Sequence, residues 1–171
     1  MDIHHATADD AEAIVAIYNH YVLNTAISFE EEPVSADEMR TRIAGVLDAG
    51  LPWLVAMEGT RLLGYAYATK WRVRHAYRFS VESSVYLAQD AASRGIGTAL
   101  YRALLSRLRD TGVHLVIGGI AQPNPASVGL HEKMGYQQAA MFKEVGFKFG
   151  KWIDVGYWQL NLEPPAGAGS A

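Results

Sequence analysis

Apolar positions along the chain fall into two periods, and their alternation outlines a mixed α/β protein. Ile3 to Ala6 reads as a short first strand. Thr7-Ala8-Asp9-Asp10 then supplies cap-type residues before Ile14, Ile17, Tyr18 and Tyr21, which share one helical face. Ser35 to Ala49 predicts a second helix, with Ser35 as cap, Asp37 and Glu38 in its first turn, Met39, Ile43, Val46 and Leu47 on its apolar side, and Gly50 at its end. Trp53–Met57, Arg61–Ala68 and Val81–Leu87 read as strands of an antiparallel meander, the last two separated by the polar stretch Lys70–Arg78. Gly95–Arg109 predicts a long helix with Ile96, Ala99, Leu100, Ala103, Leu104 and Leu108 inward and Gly112 as its stop, followed by a buried strand over Val113–Ile117. Pro125–Met134 predicts a short helix, and two strands around Gly146–Gly150 carry the chain to Leu162. Antiparallel strands first and a parallel crossover afterwards give an α/β fold: a mixed sheet of about seven strands flanked by about four helices.

Bulk composition narrows the function. The chain has 171 residues, half of them hydrophobic, which suits one domain over 1–162 followed by a mobile Pro/Gly/Ala tail over 163–171. A formal charge of -3, with the basic residues scattered, argues against a nucleic-acid partner. The absence of cysteine removes disulfides, thiolate catalysis and cysteine-ligated metal, and the six histidines form no metal-ligand spacing, so no metal is expected. Nothing reads as a signal peptide, and no run reaches the roughly 18 apolar residues of a membrane span, which points to a cytoplasmic protein with no membrane partner.

Ser93-Arg94-Gly95-Ile96-Gly97-Thr98 follows a predicted strand and opens a long helix. Free N–H groups there converge at the positive end of the helix dipole, and glycine lets phosphate oxygens approach the backbone. Arg94 adds a charge and Thr98 a hydroxyl. The segment is neither a Walker loop nor a dinucleotide fingerprint, which leaves another phosphate-bearing cofactor.

Here the sequence resembles the GNAT N-acetyltransferase superfamily, whose signature is Arg/Gln-x-x-Gly-x-Gly/Ala. This chain has Ala92-Ser93-Arg94-Gly95-Ile96-Gly97, departing only at Ala92. A second family element matches Asn124-Pro125-Ala126-Ser127-Val128-Gly129-Leu130-His131, followed by Met134-Gly135-Tyr136. More narrowly, the chain is similar to the phosphinothricin and methionine sulfoximine N-acetyltransferases through Tyr18-Asn19-His20-Tyr21, Phe29-Glu30-Glu31-Glu32-Pro33, Tyr77-Arg78, Val81-Glu82-Ser83-Ser84-Val85-Tyr86 and Trp152-Ile153-Asp154-Val155-Gly156-Tyr157-Trp158.

That resemblance implies acetyl-CoA as co-substrate, a small amino-acid-like acceptor and a two-fold homodimer with the C-terminal segment near the neighbour. It implies that the pantetheine arm lies along Val85, Tyr86 and Leu87 and is bound by Asn124. It also implies that Glu82 is the general base; period-2 alternation puts this residue with Ser84 and Tyr86 on one strand face. His131 stands where relatives carry a tyrosine acid, and is either the proton donor for the departing thiolate or a helix-surface histidine. Arg72, Arg74 and His75 are either groups that hold an acceptor anion or ordinary solvated side chains, and Phe29 is a pocket wall or a core residue. Two alternatives stand beside this reading. One is a catalytically idle acetyl-CoA sensor. The other is a polyamine or aminoglycoside acetyltransferase drawn by Glu30, Glu31 and Glu32.

Overall fold

The computed structural model describes residues 1–162, so the expected tail over 163–171 lies outside the described residues. The elements run β1 (Asp2–His5), α1 (Ala11–Asn24), α2 (Ala36–Asp48), β2 (Trp53–Glu58), β3 (Arg61–Lys70), β4 (Ser80–Leu87), α3 (Ile96–Arg109), β5 (Leu115–Ala121), α4 (Pro125–Lys133), β6 (Gln137–Lys148) and β7 (Lys151–Asn161). Among the described residues seven strands form one sheet in the order β1-β2-β3-β4-β5-β7-β6, in which β4 and β5 pair in parallel and the other neighbours antiparallel. Seven strands and four α-helices match the expected count.

Local chemistry explains the element ends. Ser35 accepts the Glu38 N–H at 3.1 Å and so starts α2, while Asp10 accepts the Thr7 N–H at 2.7 Å in a short 3₁₀ turn ahead of α1. β5 departs from the expected Val113–Ile117: it begins at Leu115 and continues through Gly118-Gly119 to Ala121. Glycine pairs lower strand propensity, yet here β7 pairs with every residue of β5 and holds the glycines extended. The final turn is also tighter than the expected Gly146–Gly150, occupying only Phe149 and Gly150, both at positive φ.

Alternation along β2, β3 and β4 divides the core between the two sheet faces. Trp53, Tyr65, Tyr67 and Tyr86 form a stacked aromatic row, capped by Tyr18 and Tyr21 of α1 against Tyr86. Helix α3 packs on β2, β3 and β4 through its fully buried Leu100, Leu104 and Leu108. Both helical layers therefore meet β4, the strand that carries Glu82.

Candidate active site

The parallel pair β4–β5 is short. It runs from Ser80 opposite Leu115 to Glu82 opposite Ile117, and the two strands then part although both continue. Past that point Val85, Tyr86 and Leu87 on one side and Ile120 and Ala121 on the other have no ladder partners across the gap. An extended ligand can occupy such a V by pairing with the freed backbone as an added strand does. Asn124, Ser127 and His131 of the following helix border the same gap.

At the end of β4 the chain turns through Ser93 (φ 62°) and Gly95 (φ 77°) into α3. Gly95 is the N-cap residue, and no side chain caps the helix, so its first N–H groups are available to an anion. The two glycines serve different ends. A Cβ at Gly95 would meet open space, so its glycine answers to the left-handed backbone. A Cβ at Gly97 would stand 3.2 Å from Leu130 Cδ2 and 3.7 Å from Leu87 Cδ1, so the missing side chain also lets α3 pack closely on α4 and β4. Arg94 is exposed and ion-paired with Glu58 at 2.7 Å, while Thr98 is half-buried in the first turn of α3.

Where β4 and β5 part, a cleft of about 600 Å³ opens between the Ile27–Glu30 segment, the outer half of β4, and Val145, Val155 and Tyr157 of the β6–β7 hairpin. Glu82 lines it, half-buried, and among the described residues its carboxylate makes no hydrogen bond or ion pair. Burial pushes the Glu82 carboxyl above the ordinary carboxylate value, and the charge of Arg72 partly opposes this. Gly119 faces it across the gap, where a Cβ would come within 3.0 Å of Oε1. The glycine pair of β5 thus clears space around a lone carboxylate.

His131 is not the surface histidine its helical position allowed: it is 3 % exposed. Its Nδ1 donates to the Ser127 carbonyl at 2.8 Å, which leaves Nε2 to accept from the Tyr101 hydroxyl at 2.9 Å. Gly118 makes this burial possible, because a Cβ there would stand 2.6 Å from the ring's Cδ2. Burial lowers the His131 pKa, so the ring is neutral at neutral pH. Tyr101 and Tyr136 both meet Ser83 Oγ, at 3.4 and 3.0 Å, and Ser83 donates to the Ile117 carbonyl. This network underlies the gap between the strands. In the sequence Tyr101 reads as one more inward residue of an amphipathic helix, with no local signal for its part in this network.

The substrate-side candidates separate. Phe29 lines the cleft. Arg72 stacks on Trp71 at 4.6 Å, beside Tyr157, close enough for its charge to act on Glu82. Arg74 and His75 are exposed on the loop before β4 and do not line the cleft. Asn124 caps α4, its Oδ1 accepting the Ser127 N–H at 3.1 Å. Glu30 lines the cleft but is bound by both terminal nitrogens of Arg42, at 2.9 and 2.7 Å, and by the Tyr18 hydroxyl. Among the described residues no group of three potential metal ligands occurs.

A family profile described as acetyltransferase (GNAT) domain matches residues 3–156. The chain belongs to the GNAT acetyltransferase family. It is 50% identical over 155 residues to a phosphinothricin N-acetyltransferase of Alcaligenes faecalis, covering 90% of this chain and 79% of the relative. An L-methionine sulfoximine/L-methionine sulfone acetyltransferase of Pseudomonas aeruginosa is 37% identical over 167 residues, 97% of each chain. The crystal structure of a GNAT superfamily phosphinothricin acetyltransferase from Sinorhizobium meliloti in complex with AcCoA superimposes with a TM-score of 0.91 at 36% identity, covering 97% of this chain and 94% of that one. As a GNAT acetyltransferase, the chain has features that fit an acyl-CoA: a parted strand pair for an amide-bearing arm and an uncapped helix N-terminus for a pyrophosphate.

Proposed function

We propose that this enzyme transfers the acetyl group of acetyl-CoA to the α-amino group of a small amino-acid-like acceptor such as phosphinothricin, methionine sulfoximine or methionine sulfone, by direct attack in a ternary complex. The observation that carries the reading is Glu82, a half-buried carboxylate with no hydrogen bond or ion pair among the described residues, at the point where β4 and β5 part. Relatives named for those same acceptors support the substrate class.

Acetyl-CoA supplies an activated acyl group; the residues of the chain supply position and proton movement. Ser93 to Thr98 hold the pyrophosphate end, and Val85, Tyr86, Leu87 and Asn124 align the arm. Glu82, with its pKa raised toward the working range, takes the proton of the acceptor ammonium, directly or through one water. Arg72 attracts the acceptor's anionic end while Phe29 and Tyr157 exclude water. His131 is the candidate proton donor for the departing thiolate, reaching the gap through the Tyr101 hydroxyl: as the C–N bond forms and the C–S bond breaks, the second proton shed by the attacking nitrogen is passed to sulfur by way of this pair, which ends in its starting protonation state. Arg74 and His75 are left as outer-loop groups that meet an anion as it approaches.

Two further parts complete the reading. Exposed Phe147, Phe149 and Trp152 on the β6–β7 hairpin suit a homodimer contact. The location is cytoplasmic, with neither nucleic acid nor membrane as partner; no helix among the described residues is long and apolar enough to cross a membrane. The polycation alternative weakens because Arg42 and Tyr18 already occupy Glu30. The test is release of CoA thiol with purified protein and a panel of methionine sulfoximine, methionine sulfone, phosphinothricin, common amino acids, spermidine and an aminoglycoside. Turnover confined to the amino-acid analogues is expected. Turnover with the cations alone, or tight acetyl-CoA binding with no turnover, overturns the acceptor assignment.

A further inference from the structure

Lys148 is 2 % exposed, yet among the described residues it forms no ion pair. Its ammonium donates to the carbonyl of Val22 at 2.7 Å and to that of Ser28 at 2.6 Å, two groups more than 100 positions away in sequence. A buried ammonium is costly unless its donors are satisfied, and here the two carbonyls meet that need by tying β6 to distant backbone. Val22 lies in the last turn of α1, a helix with no basic residue of its own there, so β6 supplies from outside the cation that the helix C-terminus favours. Ser28 belongs to the segment that forms one wall of the acceptor cleft, together with Ile27, Phe29 and Glu30. The opposite wall includes Val145, three positions before Lys148 on β6.

Gly146 makes a second, independent contact between the same two parts. A Cβ there would overlap the Phe29 ring, so the missing side chain is the seat on which the aromatic wall rests. Gly146 and Lys148 are two apart on β6 and both buried, hence on one face of the strand. Tyr18 and Arg42 hold the segment from the α1 and α2 side through Ser28 and Glu30. The ties on the hairpin side are Lys148 and Gly146.

We propose that Lys148 is a positioning residue that latches the Ile27–Glu30 wall to β6 and so sets the width of the acceptor cleft. It works through Ser28 and Phe29 on the acceptor cleft; of the latched segment Ile27 also borders the β4–β5 gap, while the α3 turn stands apart from it. The proposal rests on the acceptor reading given above for its kinetic half and on the geometry alone for its structural half.

The test compares native protein with Lys148→Met, which keeps the bulk and removes the charge, and with Gly146→Ala, which unseats Phe29 without touching the lysine. With methionine sulfoximine as acceptor, each variant is expected to raise the acceptor KM about tenfold while kcat and the KM for acetyl-CoA stay within about twofold, the pattern of lost ground-state positioning. Hydrogen exchange in the absence of any substrate is expected to quicken at residues 27–30 in both variants and to stay unchanged in β4 and α3. Unchanged acceptor KM, or unchanged exchange over 27–30, overturns the latch; a parallel loss of acetyl-CoA affinity does so too, by marking a general structural role. If Lys148→Met does not fold, Lys148→Gln, which keeps a donor without the charge, is judged by the same readouts. Native protein that turns over none of the acceptors defeats the functional reading, and exchange still decides the latch.

Discussion

At the scale of single residues, the role proposed for Glu82 as base ties activity to stability. Its carboxyl is raised by burial, so between the unfolded and folded pKa values the native state holds the proton more tightly, and stability falls as pH rises through that window. At neutral pH the ionised group is therefore a cost to the fold. Glu82→Gln is expected to raise the melting temperature while lowering kcat by about 10²–10⁴-fold, the usual worth of a positioned base. Calorimetry and CoA release on the same preparation check both, and a variant that keeps native turnover removes Glu82 from the mechanism. Arg72 holds the Glu82 pKa down from where burial alone would put it. Arg72→Gln is thus expected to move the acidic limb of kcat, measured at saturating acceptor, to higher pH. A limb that stays in place would show that another group titrates there.

At the scale of elements, the sequence disclosed what periodicity and capping encode and hid what depends on close approach. The helices, the Ser35 cap, the Gly95 turn and the meander were legible because each is written in local residue choice. The extent of β5 was not: Gly118 and Gly119 look like a strand end, whereas their bare backbone is what admits the His131 ring on one side and the Glu82 carboxylate on the other. Tyr101 was hidden for a related reason, since inward position on a helix says nothing of which polar atom waits across the core. Gly118→Ala tests this account of β5. The new methyl has a rigid ring in its path rather than a flexible chain end, so overpacking is expected to cost about 1–3 kcal/mol. That corresponds to a loss of several degrees in melting temperature at about 2–4 °C per kcal/mol for a chain of this size. Retention of the native melting temperature would mean that His131 can leave its bond to Tyr101 without penalty.

For the molecule as a whole, the sheet order explains why the cleft opens beside the β6–β7 hairpin and why part of that hairpin is left uncovered. Inserting β7 between β5 and β6 places the long β6–β7 hairpin on the sheet edge, where its inner residues Val145, Val155 and Tyr157 wall the cleft. Other hairpin residues have no such cover: Trp152 is 64 % exposed and packs against Phe147, itself 56 % exposed, with Phe142 and Phe149 also open. Large aromatic side chains clustered on an exposed hairpin are a costly surface for a lone molecule, and self-association about a two-fold axis is the simplest way to bury them. The proposed dimer therefore predicts that light scattering after size exclusion gives twice the chain mass of 18.7 kDa for the native protein. Trp152→Glu, which adds a charge at the exposed centre of the cluster, should shift it to the monomer while leaving the core untouched. Because the same hairpin carries a wall of the acceptor cleft, the monomeric variant should also show a raised acceptor KM. A native protein that stays monomeric at micromolar concentration would assign these aromatic residues to another partner.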